Sequence, residues 1–177
     1  MPIDVQPPRI STSDTPRRIL AADFEPGGEL PIRGGWGYSP EDAVVIDRDD
    51  PVAAKGTAFN GIAIEYDFVG KRIYEELVVL LPEGETHSEI KWNLLEQNLF
   101  GHDDRPFDRL SFEVTAIPDR DWEQLEAEWE GPGGWASPSF DVEGHRRERE
   151  SKTIRYVAEY YFDITSFFGS SRDLLYS

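Results

Sequence analysis

Apolar residues concentrate in a few stretches of this chain, and their spacing is the first guide to its architecture. The longest is Gly61 to Leu81, where Ile62, Ile64, Tyr66 and Phe68 share one parity and Ala63, Glu65 and Asp67 the other. That is the period of a half-buried strand. From Leu77 the run turns continuously apolar, and Gly70-Lys71 suits a two-residue hairpin turn. Ile62, Tyr66, Val69, Ile73, Leu77 and Leu80 also lie at helical spacing, so one long helix is the rival reading. Gly70 and the β-branched content favour strands.

Two other segments alternate more cleanly. Leu110, Phe112, Val114 and Ala116 interleave with polar residues and predict a strand over 110–117. Ile154, Tyr156, Ala158, Tyr160, Phe162 and Ile164 predict a long central antiparallel strand over 153–164. Asp119 to Glu130 reads as a helix with Trp122, Leu125 and Trp129 as its apolar stripe, Asp121 and Gln124 suited to a capping box, and Gly131-Pro132 as its stop. Arg18 to Phe24 reads as a first strand, and Met1 to Arg17, rich in proline, as a disordered or loosely laid tail. Residues 86–100 remain open between two states. Thr86 and Glu89 have capping-box spacing before Trp92, Leu95 and Leu99, whereas a strand returning through the turn 101–106 explains them equally well.

The expected fold is therefore one α+β domain over 18–177. It has a mainly antiparallel sheet, including 62–69, 110–117 and 153–164, with one or two helices packed on one face. The helix 119–130 would dock through its two tryptophans, and a long loop would run over about 131–152. At 177 residues the chain is long enough to bury roughly 70% of its unfolded surface in one core. Thr165 to Ser177 would add a docked turn through Phe167 and Phe168, and Asp47 to Phe59 a polar turn.

Composition then narrows the chemistry. Zero cysteines exclude disulfides, thiolate catalysis and cysteine-ligated metals. His87, His102 and His145 show no metal-binding spacing, no catalytic motif is present, and no metal or cofactor is expected. No long apolar run or secretory leader occurs, so the reading is a cytoplasmic protein without a membrane span. Glu65 with Asp67, and Glu75 with Glu76, are expected on a wet face.

The balance of 35 acidic against 18 basic side chains gives a formal charge of −17. Such a field disfavours nucleic acid and favours a basic protein partner, or else serves solubility. The helix 119–130 holds six acids and one arginine, and Glu123, Glu126 and Glu130 are the candidate partner-binding residues. The leading expectation is a noncatalytic acidic interaction protein of the immunity, inhibitor or antitoxin kind. The alternative is a small-ligand-binding protein or enzyme built on residues 33–42. There Arg33, Gly35, Trp36, Gly37, Tyr38 and Ser39 form a glycine-rich loop ahead of a Ser39-Pro40 helix start able to cradle an anion. Arg72, like Arg33, is a further candidate clamp for an anionic ligand. A tight turn packed around Trp36 is the ordinary explanation of the same glycines.

Overall fold

The structure, a computed structural model, describes residues 1–54 and 58–169. It is an α+β fold whose six-stranded sheet is mostly antiparallel. The strands are β1 (Ile3–Asp4), β2 (Ile32–Gly34), β3 (Val44–Ile46), β4 (His87–His102), β5 (Arg105–Pro118) and β6 (Ile154–Asp163). The α-helices among the described residues are α1 (Pro16–Asp23), α2 (Gly61–Tyr74), α3 (Asp119–Glu130) and α4 (Val142–Lys152). Parts of two expected turns, 55–57 and 170–177, lie outside the described residues.

β4, β5 and β6 form the body of the sheet in antiparallel order. Asp103 and Asp104 join β4 to β5 with φ of 49° and 60°, the left-handed pair that a tight hairpin turn requires. This settles residues 87–100 as strand. The helix-like spacing of Trp92, Leu95 and Leu99 arises because the register slips between Leu94 and Glu96, which inserts a residue as a β-bulge does. Thr86 and Ser88 do not cap a helix. Their hydroxyls donate to the Asp119 carboxylate at the start of α3, Ser88 at 2.5 Å.

β6 is the hinge of the topology. One edge pairs with β5 throughout, while the other pairs in parallel with β1 at Ile154 and with β3 at Phe162. Its even-numbered residues Tyr156, Ala158, Tyr160 and Phe162 are buried, whereas Val157 and Glu159 face solvent. Residues 1–17 are read from sequence as a loose tail, but residues 3–5 lie along this edge. Val5 N–H donates to Arg155 O at 2.9 Å, and Ile10 N–H reaches the Tyr38 hydroxyl at 2.8 Å.

The run Gly61–Leu81 corrects the strand-and-hairpin expectation: it is helix α2, extended by a π-helical turn over Glu75–Val79. Asn60 caps it by accepting from Ala63 N–H at 3.1 Å. Its buried face consists of Glu65, Phe68, Val69, Arg72, Ile73, Glu75, Glu76 and Leu77. Four of these are ionisable, so the helical spacing of Val69, Ile73 and Leu77 marks only part of the buried face. Phe68 packs edge-on against Phe162 of the sheet and tilted against Trp36.

Arg18 to Phe24 is likewise helix, not strand. Thr15 accepts from Arg18 N–H, Pro16 occupies the first turn, and Leu20 is buried. Helix α3 has the expected bounds, but Pro118 is its N-cap and no side chain caps it, so the Asp121 and Gln124 box is absent. The two tryptophans are not its buried residues. Leu125 is the buried residue of α3, while Trp129 packs on Phe140 and His145, and Trp122 lies 5.2 Å from the Arg149 guanidinium. The expected long loop over 131–152 is a loop only to Asp141, then α4.

The helical assignment of α2 makes a direct test. Tyr66 and Phe68 would share a face in a strand, but here Phe68 is fully buried and Tyr66 is 38% exposed. Phe68→Ala is expected to cost about 3–5 kcal/mol in urea unfolding and Tyr66→Ala about 1 kcal/mol or less. Equal losses would contradict the helix.

Candidate functional site

The glycine loop and helix α2 meet at one buried group, the Arg72 guanidinium, which is 1% exposed. It donates to Trp36 O at 3.1 Å and Glu159 O at 3.0 Å. It lies between the rings of Tyr38 and Tyr160, 4.2 and 3.7 Å from their centroids, so cation–π attraction acts on both faces. Its counter-ion is Glu76, one helical turn on, with 3.5 Å between Nε and Oε2. The same Glu76 oxygen accepts from the Tyr38 hydroxyl at 2.7 Å. Burial raises the proton affinity of Glu76, while the Arg72 charge and these hydrogen bonds oppose that rise. The hydroxyls of Tyr156 and Tyr160 are buried beside the pair and have no hydrogen-bond partner among the described residues, and burial holds both phenols neutral.

The loop itself does not present its amides outward. Gly35 N–H donates to Ala43 O, Gly37 N–H to Asp42 O, and Tyr38 N–H to the Asp42 carboxylate at 3.2 Å. Asp42 thus takes the place an exogenous anion would occupy. Gly37, with φ of 83°, brings its main chain against β6, where its carbonyl accepts from Tyr161 N–H at 2.9 Å. Trp36 is core, packed on Phe68. Ser39 makes no capping hydrogen bond to the single turn Pro40–Asp42. Arg33 is exposed on β2 and has no ion pair among the described residues. Of the six residues singled out, Tyr38 alone contributes a side chain to the Arg72 cluster.

Three acids expected on a wet face are buried instead. Glu65 sits against Asp108 of β5, which accepts from Gln97 Nε2 at 2.7 Å. Burial first, then the Asp108 charge, pushes the Glu65 carboxyl up to about 9. Glu75 is pushed up to about 8, chiefly by burial and then by Asp23. Helical spacing was the available signal: Glu65, Arg72 and Glu76 fall at i, i+7 and i+11, on one face with Phe68 and Val69.

The second concave feature lies between α3 and α4. Asp141 caps α4 by accepting from Gly144 N–H at 2.9 Å. His145 Nε2 donates to Leu125 O at 3.0 Å, tying the helices together. A groove of about 450 Å³ between them has Trp122, Leu125, Trp129 and Val142 in its walls. Glu126 and Glu130 stand on its α3 rim and Arg146 and Arg149 on its α4 rim, while Glu123 is exposed outside it. The rims are not electrically equivalent. Arg146 pairs with Glu143 and Arg149 with Glu89, both at 2.7 Å. Glu123, Glu126 and Glu130 form no ion pair among the described residues.

Among the described residues no group of three or more histidine and acidic side chains is arranged to hold a metal, and no helix is long and apolar enough to cross a membrane. Comparison with protein families, with curated proteins and with solved structures finds no match to this chain.

The buried acids make stability depend on pH in a defined direction. Glu65 and Glu75 hold protons in the folded state that the unfolded chain releases near pH 4.5, so their contribution is complete below that value. It is lost as pH rises toward 8 and 9, at about 1.4 kcal/mol per pH unit for each group. Glu65→Gln keeps a neutral group there and is expected to remove one proton's worth of this slope between pH 5 and 8, read from urea midpoints. An unchanged slope would contradict the protonated state of Glu65.

Proposed function

We propose that this chain is a noncatalytic protein-binding domain that receives a basic partner on the face formed by α3 and α4. The observation that carries this reading is the groove's composition: exposed aromatic and aliphatic surface beside carboxylates that have no counter-ion among the described residues. Trp129 is 37% and Val142 52% exposed. Interfaces concentrate binding energy in such aromatic anchors, and the polar rim contributes orientation and encounter rate. Tryptophan left half in water gains most when a partner covers it.

The sign of the partner follows from which rim is already neutralised. The two arginines on the α4 rim, Arg146 and Arg149, are engaged within the chain, so the field over the groove comes from Glu126, Glu130 and the nearby Glu123. The overall charge of −17 reinforces it. An acidic ligand would meet repulsion from both sources. A partner presenting an apolar anchor flanked by lysine or arginine satisfies the groove and its rim together, as the inhibitor, immunity and antitoxin class of interaction requires.

Affinity capture from the native organism, with wild-type and variant proteins as bait, tests this. One basic protein is expected to be retained by the wild type and released as salt rises, since exposed charges are screened over about 10 Å at 0.1 M. Glu126→Lys with Glu130→Lys is expected to weaken that complex about tenfold to a hundredfold, and Trp129→Ala at least about tenfold. Identical affinity for all three baits would overturn the assignment of the face.

A further inference from the structure

β6 carries a break in its pairing that neither the groove nor the core requires. On the edge away from β5, the odd-numbered residues present their main-chain groups, because these strands alternate. Thr153 O and Arg155 O accept from Ile3 and Val5 N–H, and Tyr161 N–H donates to Gly37 O. Glu159 O accepts from Arg72. That leaves Val157 N–H, Val157 C=O and Glu159 N–H, which receive no main-chain partner from β1, β3 or the segments joining them among the described residues.

The cause is in the sequence. Continuing β1 in its register, Ile3 opposite Ile154, would set residue 7 opposite Ala158, where its N–H would donate to Val157 O. Residue 7 is proline and has no N–H, and residue 8 is proline too. The chain therefore leaves the edge and returns only when Ile10 N–H reaches the Tyr38 hydroxyl. Beneath the detour lies a cavity of about 320 Å³ lined by Pro7, Pro8, Arg9, Tyr38, Arg72 and the 157–159 stretch of β6. Arg72, almost wholly buried, forms one wall and stops the cavity opening into the core. Arg9 lies over the outer face of Tyr38, 4.7 Å from its centroid, and has no ion pair among the described residues.

We propose that this break is a binding site for an N-acylated α-amino acid, a ligand that supplies the one strand residue β1 omits. In a parallel ladder a single residue donates its N–H to one carbonyl and accepts, two residues on, from the next N–H. An N-acyl amino acid has that pattern: its amide N–H meets Val157 O, and its carboxylate meets Glu159 N–H with Arg9 as counter-ion. Pro7, Pro8 and the Tyr38 ring bound the space for an acyl group or a side chain. The same terminal group ends every polypeptide, so a free small molecule and a chain terminus share this chemistry.

The test uses the full-length, ¹⁵N-labelled protein and N-acetylglycine as probe. In the free protein the Val157 and Glu159 amides are expected to exchange with solvent faster than those of Tyr156, Ala158 and Tyr160, which face β5. Millimolar N-acetylglycine is expected to shift both amides saturably and to protect that of Glu159, which the carboxylate accepts from. N-acetylsarcosine, which has no N–H, should not bind. Arg9→Ala should weaken the probe about tenfold. Pro7→Val, which restores the missing donor and lets β1 continue, should abolish binding while leaving the thermal midpoint equal or higher. An acetylated pentapeptide with a free carboxylate, bound at least tenfold more tightly than N-acetylglycine, would assign the source as a chain terminus; equal binding would assign it as a small molecule. Equal exchange of odd and even amides, no saturable shift with N-acetylglycine, or equal binding of N-acetylsarcosine would each overturn the proposal.

Discussion

The burial of one guanidinium organises this fold. Moving a cation out of water costs several kcal/mol even after relaxation, and the surrounding structure is arranged to offset that cost for Arg72. Two main-chain carbonyls from distant segments, two tyrosine rings and the Glu76 carboxylate converge on it. Those contacts link helix α2 to the glycine loop and to β6. Gly37 can then pair with Tyr161, and Tyr38 is oriented to receive the N-terminal segment through Ile10. Take Arg72 away and three elements lose the group they have in common.

The distribution of acids follows from the same arrangement. Most carboxylates lie at the surface, as expected for a chain of net charge −17, but Glu65, Glu75 and Glu76 of α2 and its π-helical turn are interior, as are Asp108 and Asp163 of the sheet. Glu76 has a cation to answer, whereas Glu65 and Glu75 are held neutral by burial. Glu65 and Glu75 are thus structural elements with protons attached, whereas Glu123, Glu126 and Glu130 on α3 are charges with no ion pair among the described residues. The proposed docking face draws on the second group alone.

How much of this was legible in the sequence depended on whether a buried face was apolar. β5, β6 and α3 have one wet side and one apolar side, and their periodicity stated them correctly. α2 does not. Its inner face mixes ionisable residues, Glu65, Arg72 and Glu76, with apolar ones, so the helical spacing of Val69, Ile73 and Leu77 competed with a chance alternation over 62–68 that imitated a strand. α1 was hidden by the prolines before it, although Thr15-Pro16 is itself a helix start. Within the candidate sites, Tyr38, Glu126 and Glu130 were accessible to sequence reasoning. The α4 wall of the groove was not, because Val142–Lys152 contains a single aliphatic side chain, and the break in β6 depends on a pairing register that no local pattern reveals.

The most direct test of the central claim is a double-mutant cycle on Arg72 and Glu76 measured by urea unfolding. Arg72→Met alone is expected to cost about 3–5 kcal/mol, because Glu76 is left buried without its cation. Combining it with Glu76→Gln should recover part of that loss, with a coupling of about 1–3 kcal/mol between the sites. Strict additivity, with a loss under about 1 kcal/mol for Arg72→Met, would contradict an architecture built around this buried pair.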